Sequence, residues 1–323
     1  MRERRGRHAD LRVGFARLRR WLSRTLLEPD YPLVAVEVRP RAIAAVRLVR
    51  EGGRLALGAA TAVAVPDGVL DISLTRPNIV DPEGFSAALR TALERAGALS
   101  GGAVSLVLPD PTVRLALVSA EGLKGRGREA EETIRFRLHK ALPFDVRAAR
   151  LAWDGAPDAK VLVAVAVSEV VGGYEEALEA LGYRPGLVEV STMALASLGE
   201  AETGEGDRLL VNWDDTYVSF LLLRGSKPLL VRTLPGETGT SSVARQAAST
   251  LQFHRDRLGG ESLTDVFVRS AAIAPEEAVA ALAPVLGREP RLLRPWAALG
   301  EGESDLPDQA VAGAAASALR RVA

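Results

Sequence analysis

One pattern occurs twice in this chain and constrains its fold more than any other feature. Between residues 209 and 237, three apolar runs (209–212, 217–223 and 228–234) are separated by Asp214-Asp215-Thr216 and Arg224-Gly225-Ser226-Lys227. Runs of this length, rich in Val, Leu, Tyr and Phe and bounded by Asp, Gly and Ser, predict a three-stranded antiparallel meander. A helix over 240–258 follows, with Val243, Ala247, Leu251 and Leu258 at helical spacing. The same order stands near the start. Runs 33–38, 42–49 and 54–65 are separated by Arg39-Pro40-Arg41 and Glu51-Gly52-Gly53, and a helix over 82–96 follows. Two such copies predict a duplicated, two-lobed α/β architecture, and their separation is too long for a solenoid.

Between and around the copies, the chain divides into segments. Residues 1–28 carry nine arginines against Glu3, Asp10 and Glu28, so +6 there and −6 over the remainder of a chain with 41 basic and 41 acidic residues. Leu11, Phe15, Leu18, Leu22 and Leu26 share one helical face, opposite Arg17, Arg20 and Arg24. Such a basic amphipathic helix is open to peripheral contact with an anionic membrane, or to packing on its own domain. Residues 29–111 hold the first part of lobe 1, including a strand over 103–108. Residues 112–159 read as an inserted strand–helix–strand unit, its helix over 128–142 carrying Ile134, Leu138 and Leu142 in one stripe and ending at Pro143. Residues 160–204 return to lobe 1, 205–307 form lobe 2, and 308–323 form a small-residue closing helix.

Composition excludes several chemistries. No cysteine occurs, so there is no disulfide, thiolate metal site or cysteine nucleophile, and His8, His139 and His254 are too scattered to suggest a metal site. His254 reads as a structural histidine rather than a catalytic one. No apolar run reaches the roughly 18 residues that span a bilayer, and the Arg-rich start lacks the apolar core of a secretory signal. These features predict a cytoplasmic location. No P-loop, dinucleotide fingerprint, H-E-x-x-H or Ser/His/Asp arrangement is present, nor any recurring basic-and-aromatic platform for nucleic acid.

The run 131–145, EETIRFRLHKALPFD, resembles the E-x-x-I-x-x-x-L-x-x-x-L-P-F signature of PilM-type proteins of type IV pilus assembly, which are related to FtsA and to the cytoplasmic part of the type II secretion protein GspL. Further matches follow in the same order: 34–48, GYRPGLVEVSTMAL at 182–195, the meander 209–235, and SLTDVFV at 262–268, covering about residues 30–320 in all. The resemblance implies the duplicated actin-like ATPase fold, with the insert as its 1C subdomain and ATP bound between the lobes. It also implies capture of the cytoplasmic N-terminal peptide of a bitopic inner-membrane partner, PilN. The Arg-rich leader lies outside that pattern.

The loops that hold nucleotide in such proteins are altered here. A phosphate-binding turn uses backbone N–H groups that glycine lets the anion approach. The first D-x-G loop corresponds to Glu37-Val38-Arg39, and the second to Asn212-Trp213-Asp214. The third, a Gly-Gly turn, corresponds to Arg269-Ser270-Ala271 after 266–268, with no glycine. Positions of the degenerate site are therefore Glu37, Arg39, Asn212, Asp214, Asp215, Thr216 and Gly313, the last as a close helix-packing position. Asp214 and Asp215 read either as turn formers or as an acid/base or Mg²⁺ pair. Arg39 and Arg41 read as an exposed turn or as phosphate-holding charges.

These alterations predict a scaffold without ATP hydrolysis and without a resident cofactor. An active ATPase using Mg-ATP and an FtsA-like membrane tether are the competing readings. For the partner, Phe136 and Arg137 on the insert's helix, with Pro143 and Phe144 after it, have hot-spot composition. The alternative is that Phe136 packs beneath the insert's strands.

Overall fold

Glycines Gly52 and Gly53 both take positive φ (57° and 83°), as a two-residue hairpin turn requires, and they join β2 (Ala42–Glu51) to β3 (Arg54–Ala64). With β1 (Val34–Arg39) these strands form the expected antiparallel meander. Strands β4 (Ala103–Leu108) and β8 (Arg184–Val190) extend it in parallel, giving the order β3-β2-β1-β4-β8. The second meander repeats this, with β9 (Asp207–Trp213), β10 (Tyr217–Arg224) and β11 (Lys227–Pro235) extended by β12 (Leu263–Ser270) and β13 (Arg291–Leu292). Its order, β11-β10-β9-β12-β13, matches the first strand for strand. This computed structural model describes residues 31–123, 127–153, 159–200, 206–260, 262–299 and 308–320. The basic leader lies outside the described residues.

Helix α1 (Pro82–Arg95) starts where Asp81 accepts from the amides of Glu83 and Gly84, with Pro82 in the first turn. It packs Phe85, Leu89 and Leu93 on the first sheet beside α3 (Ser168–Ala180), whose Tyr174 meets Phe85 edge-on at 5.8 Å. The inserted unit runs past the expected end at residue 159, because β7 (Lys160–Val167) is the central strand of its sheet, pairing antiparallel with both β5 (Arg114–Ser119) and β6 (Ala149–Trp153) in the order β5-β7-β6. Helix α2 (Arg128–Leu138) covers one face of it, with Ile134 and Leu138 against Val118, Val161, Val163 and Val165. Period-two alternation leaves Leu115, Leu162 and Ala164 on the other face.

Helix α2 ends four residues before the predicted end at Leu142. The Arg135 guanidinium binds the carbonyls of Val146 and Ala149, the latter at 3.0 Å, and draws the following chain back against the helix. Leu142 and Phe144 then pack under the unit's core from an irregular segment. Helix α4 (Ser191–Glu200) is absent from the sequence reading because β8 passes into it without a Gly or Pro between Val190 and Ser191. In lobe 2, α5 (Thr240–Leu258) coincides with the predicted span, and with α6 (Pro275–Leu286) it covers the outer face of the sheet.

The closing helix α7 (Asp308–Leu319) lies between the two sheets together with α4. Val311, Ala314, Ala315 and Ala318 pack on Ala35, Ala44 and Val46 of the first sheet. Ala312 joins Leu195 and Ala196 against Leu210, Leu221 and Phe267 of the second. Its alanine content follows from this position, since small side chains let two sheets close on one helix from both sides.

Candidate functional site

Glu37 and Arg39 are two residues apart on β1, so both face the second lobe, and Asn212 and Asp214 stand in the same relation on and just beyond β9. Arg269 on β12 is the parallel-register neighbour of Asn212. The tips of the two first hairpins thus point at each other across the cleft, and the side chains that replace loop glycines meet there.

They meet as ion pairs. Arg39 donates from Nε to Asp214 at 3.0 Å, and from Nη2 to Asp215 at 3.1 Å and the Ala271 carbonyl at 3.2 Å. Arg269 is fully buried and lies between two carboxylates, bonded to Asp214 and, at 3.2 Å, to Glu37. The same guanidinium donates to Asn212 Oδ1 at 3.1 Å and to the Gln309 carbonyl of α7 at 3.1 Å. Glu37 also accepts from Ser191 Oγ at 2.8 Å. Behind it, Asp110 accepts from the Thr192 amide at 2.8 Å and Asn212 Nδ2 at 3.0 Å, and bonds the Thr192 hydroxyl.

Electrostatics follows from this packing. Burial alone would raise the pKa of Asp214, but Arg39 and Arg269 hold it well below the usual carboxylate range. Burial opposes the charge on Arg269 too, yet Glu37 and Asp214 fix it in the charged form. Asp215 is pushed up by burial and by its neighbour Asp214, with Arg39 opposing. Asp110 is pushed up by burial, offset in part by the Thr192 and Asn212 donors. Two buried oxygens at the centre, Glu37 Oε2 and Tyr217 Oη, have no hydrogen-bond partner in the structure.

Gly313 of α7 faces this cluster. A Cβ there would lie 2.3 Å from Glu37 Oε1, so glycine is what lets the helix pass the carboxylate.

A nucleotide does not fit these residues. Phosphate needs open N–H groups and positive charge in excess, whereas both arginines here are neutralised by carboxylates that would repel it. Asp214 is both a turn residue and the central ion-pair partner, its charge committed to the guanidiniums of Arg39 and Arg269. The exposed-turn reading holds for Arg41, which is exposed and pairs with Asp67 at 3.6 Å, and is corrected for Arg39, which is buried in the cleft. Thr216 is exposed and lies outside the cluster. Among the described residues, no group of three or more His, Asp or Glu side chains could hold a metal ion.

Asp110, Ser191, Thr192, Gln309 and Arg269 complete the cluster without having been singled out as site residues. One signal was available for Arg269: glycines had given way to an arginine and an aspartate in facing loops, so a third charge at the third loop called for a partner. His254 is structural, fully buried with Nε2 at 2.5 Å from Asp207.

The partner candidates lie elsewhere. Phe136 is 75% exposed on the outer side of α2, its ring 5.5 Å from that of His139, so it does not pack beneath the strands. Arg137 bonds the carbonyls of Ser119 and Glu121, Pro143 is exposed, and Phe144 is half-buried. On the opposite side of the insert's sheet is a cavity of about 1120 Å³. Leu162 and Ala164 of the insert, Val188 and Met193 of lobe 1, and Leu229 of lobe 2 contribute to its walls.

Two predictions follow from the cluster. Gly313→Ala should destabilise the protein by about 1–3 kcal/mol through overpacking, against the gain that Ala normally gives in a helix, as read by urea unfolding. Asp214→Asn should cost about 3–5 kcal/mol at neutral pH. Because the folded pKa of Asp214 is depressed, its contribution is fully present above the unfolded value of about 3.9 and is lost as pH falls through the folded value. The gap between wild type and Asp214→Asn in urea unfolding should therefore persist at pH 5 and narrow only in strong acid.

Solved structures share this architecture. The PilM–PilN type IV pilus biogenesis complex matches with a TM-score of 0.73 at 20% identity, over 91% of this chain and 98% of that one. The cytoplasmic domain of EpsL, an inner-membrane component of the type II secretion system of Vibrio cholerae, matches with a TM-score of 0.52 at 13% identity, over 87% and 93%. No family model and no curated protein matches the sequence. Two lobes of the same strand order, the inserted three-stranded unit and the helices between the sheets give this chain the actin-like ATPase fold.

Proposed function

We propose that this protein is a non-hydrolysing scaffold of a type IV pilus or type II secretion-like assembly. In this reading it works on the cytoplasmic face of the inner membrane and captures the cytoplasmic segment of a PilN-like bitopic partner. The observation that carries the reading is the pairing of Arg39 and Arg269 with Asp214 and Glu37 in the place where an actin-like ATPase would hold phosphates. The likeness to the PilM–PilN complex supports the assembly context. No helix among the described residues is long and apolar enough to cross a membrane, which suits a protein that reaches the membrane through a partner.

The docking place we favour is the cavity beside the insert. Its walls set apolar side chains such as Leu115, Leu162 and Leu229 beside the charged Arg150, Lys160 and Arg224, it exceeds the size of an ordinary small-molecule pocket, and three parts of the fold contribute to it. A short, mainly apolar peptide is its occupant in this reading. The outer face of α2 is the second site, favoured by the exposure of Phe136.

Fluorescence anisotropy with a labelled cytoplasmic N-terminal peptide of a PilN-like membrane protein separates the two. Ala164→Arg should weaken binding by about tenfold or more, equivalent to about 1.4 kcal/mol, while Phe136→Ser and Arg137→Glu leave it unchanged. The reverse pattern would move the site to α2. Absence of binding to the wild type would sink the capture reading.

A further inference from the structure

The ion-pair cluster and the cavity are adjoining parts of one construction. Ser191 and Thr192 bond Glu37 and Asp110 in the cluster, while Val190 before them and Met193 after them line the cavity. Leu108 lines the cavity two residues before Asp110. On the second lobe, β10 runs from Tyr217, beside the cluster, to Arg224 at the cavity. Rigid elements thus connect the two places on both sides of the cleft.

The bonds across the cleft all join lobe 1 to lobe 2. Arg39 of β1 holds Asp214, Asp215 and the Ala271 carbonyl, Arg269 of β12 holds Glu37, and Asn212 of β9 holds Asp110. A ligand bound between two lobes fixes their relation by touching both. Here the protein's own side chains make the equivalent contacts.

We infer that this cluster takes the place of a bound nucleotide as the device that fixes the lobes, so that the cavity keeps its binding geometry with no nucleotide present. The cavity's role as a docking site rests on the function proposed above, but the fixing of the lobes does not. A guanidinium buried between carboxylates is held in one arrangement, because any opening strands charges in a low-dielectric interior. Opening therefore requires the whole cluster to come apart together, and the cavity walls from lobe 1 and lobe 2 stay in register until it does.

The chain has no cysteine, so two can be introduced for nitroxide labels at exposed positions, Glu94→Cys on α1 and Glu277→Cys on α6. Distances are then read by double electron–electron resonance. The labelled protein should give one narrow distribution, unchanged by millimolar Mg-ATP. Arg39→Ala should broaden it, and amide exchange over residues 224–229 should quicken by about tenfold.

Removing Arg269 alone strands buried charges, so the neutral triple variant Arg269→Met, Glu37→Gln, Asp214→Asn is the second probe, with circular dichroism to show that it folds. It too should broaden the distribution. Narrow, unshifted distances in both folded variants would overturn the inference, as would narrowing of the wild-type distribution by Mg-ATP. Neither readout uses a partner peptide, so failure of the docking proposal would leave these distances as expected.

Discussion

The Arg269 guanidinium, buried between Glu37 and Asp214, is the interaction on which the relation of the two lobes depends. Arginine suits the position because its charge cannot be shed and its planar fork can donate in several directions at once. Here the fork reaches a carboxylate of each lobe, an amide oxygen of β9 and a carbonyl of α7. Arg39 adds a second bridge at the rim of the cleft. A buried pair of this kind is a modest source of stability and a strong source of specificity, because the alternatives leave charges unpaired.

The surrounding architecture serves that arrangement. Helix α7 is thin enough, by its alanines and Gly313, to let two sheets approach and to let Glu37 reach Arg269 past it. Gln309 of the same helix accepts from the Ser270 amide and donates to the Leu293 carbonyl, tying the helix to the strand that carries Arg269. The actin-like fold thus carries, in its cleft, a set of paired charges that ties the lobes together, and fold by itself does not fix what such a cleft does.

Much of this was legible in the residues themselves. The two meanders and α5 were readable because their apolar periods are bounded by Gly, Pro and Asp that act locally. The end of α2 was not, since it is set by the tertiary contact of Arg135 with Val146 and Ala149. The loss of glycine from three loops was visible, but its consequence was only half seen. Arg39 read as exposed because a Pro-Arg turn follows it, and Arg269 drew no attention as a charge because nothing in its own strand needs one. Their partners lie 175 and 55 residues away at Asp214, a distance no local pattern spans.

The central claim is that the charges in this cleft are paired with one another, so that it does not take up phosphate. Isothermal titration of the wild-type protein with Mg-ATP tests it most directly. The account predicts no heat beyond that of dilution at millimolar nucleotide; saturable binding with micromolar affinity would contradict it.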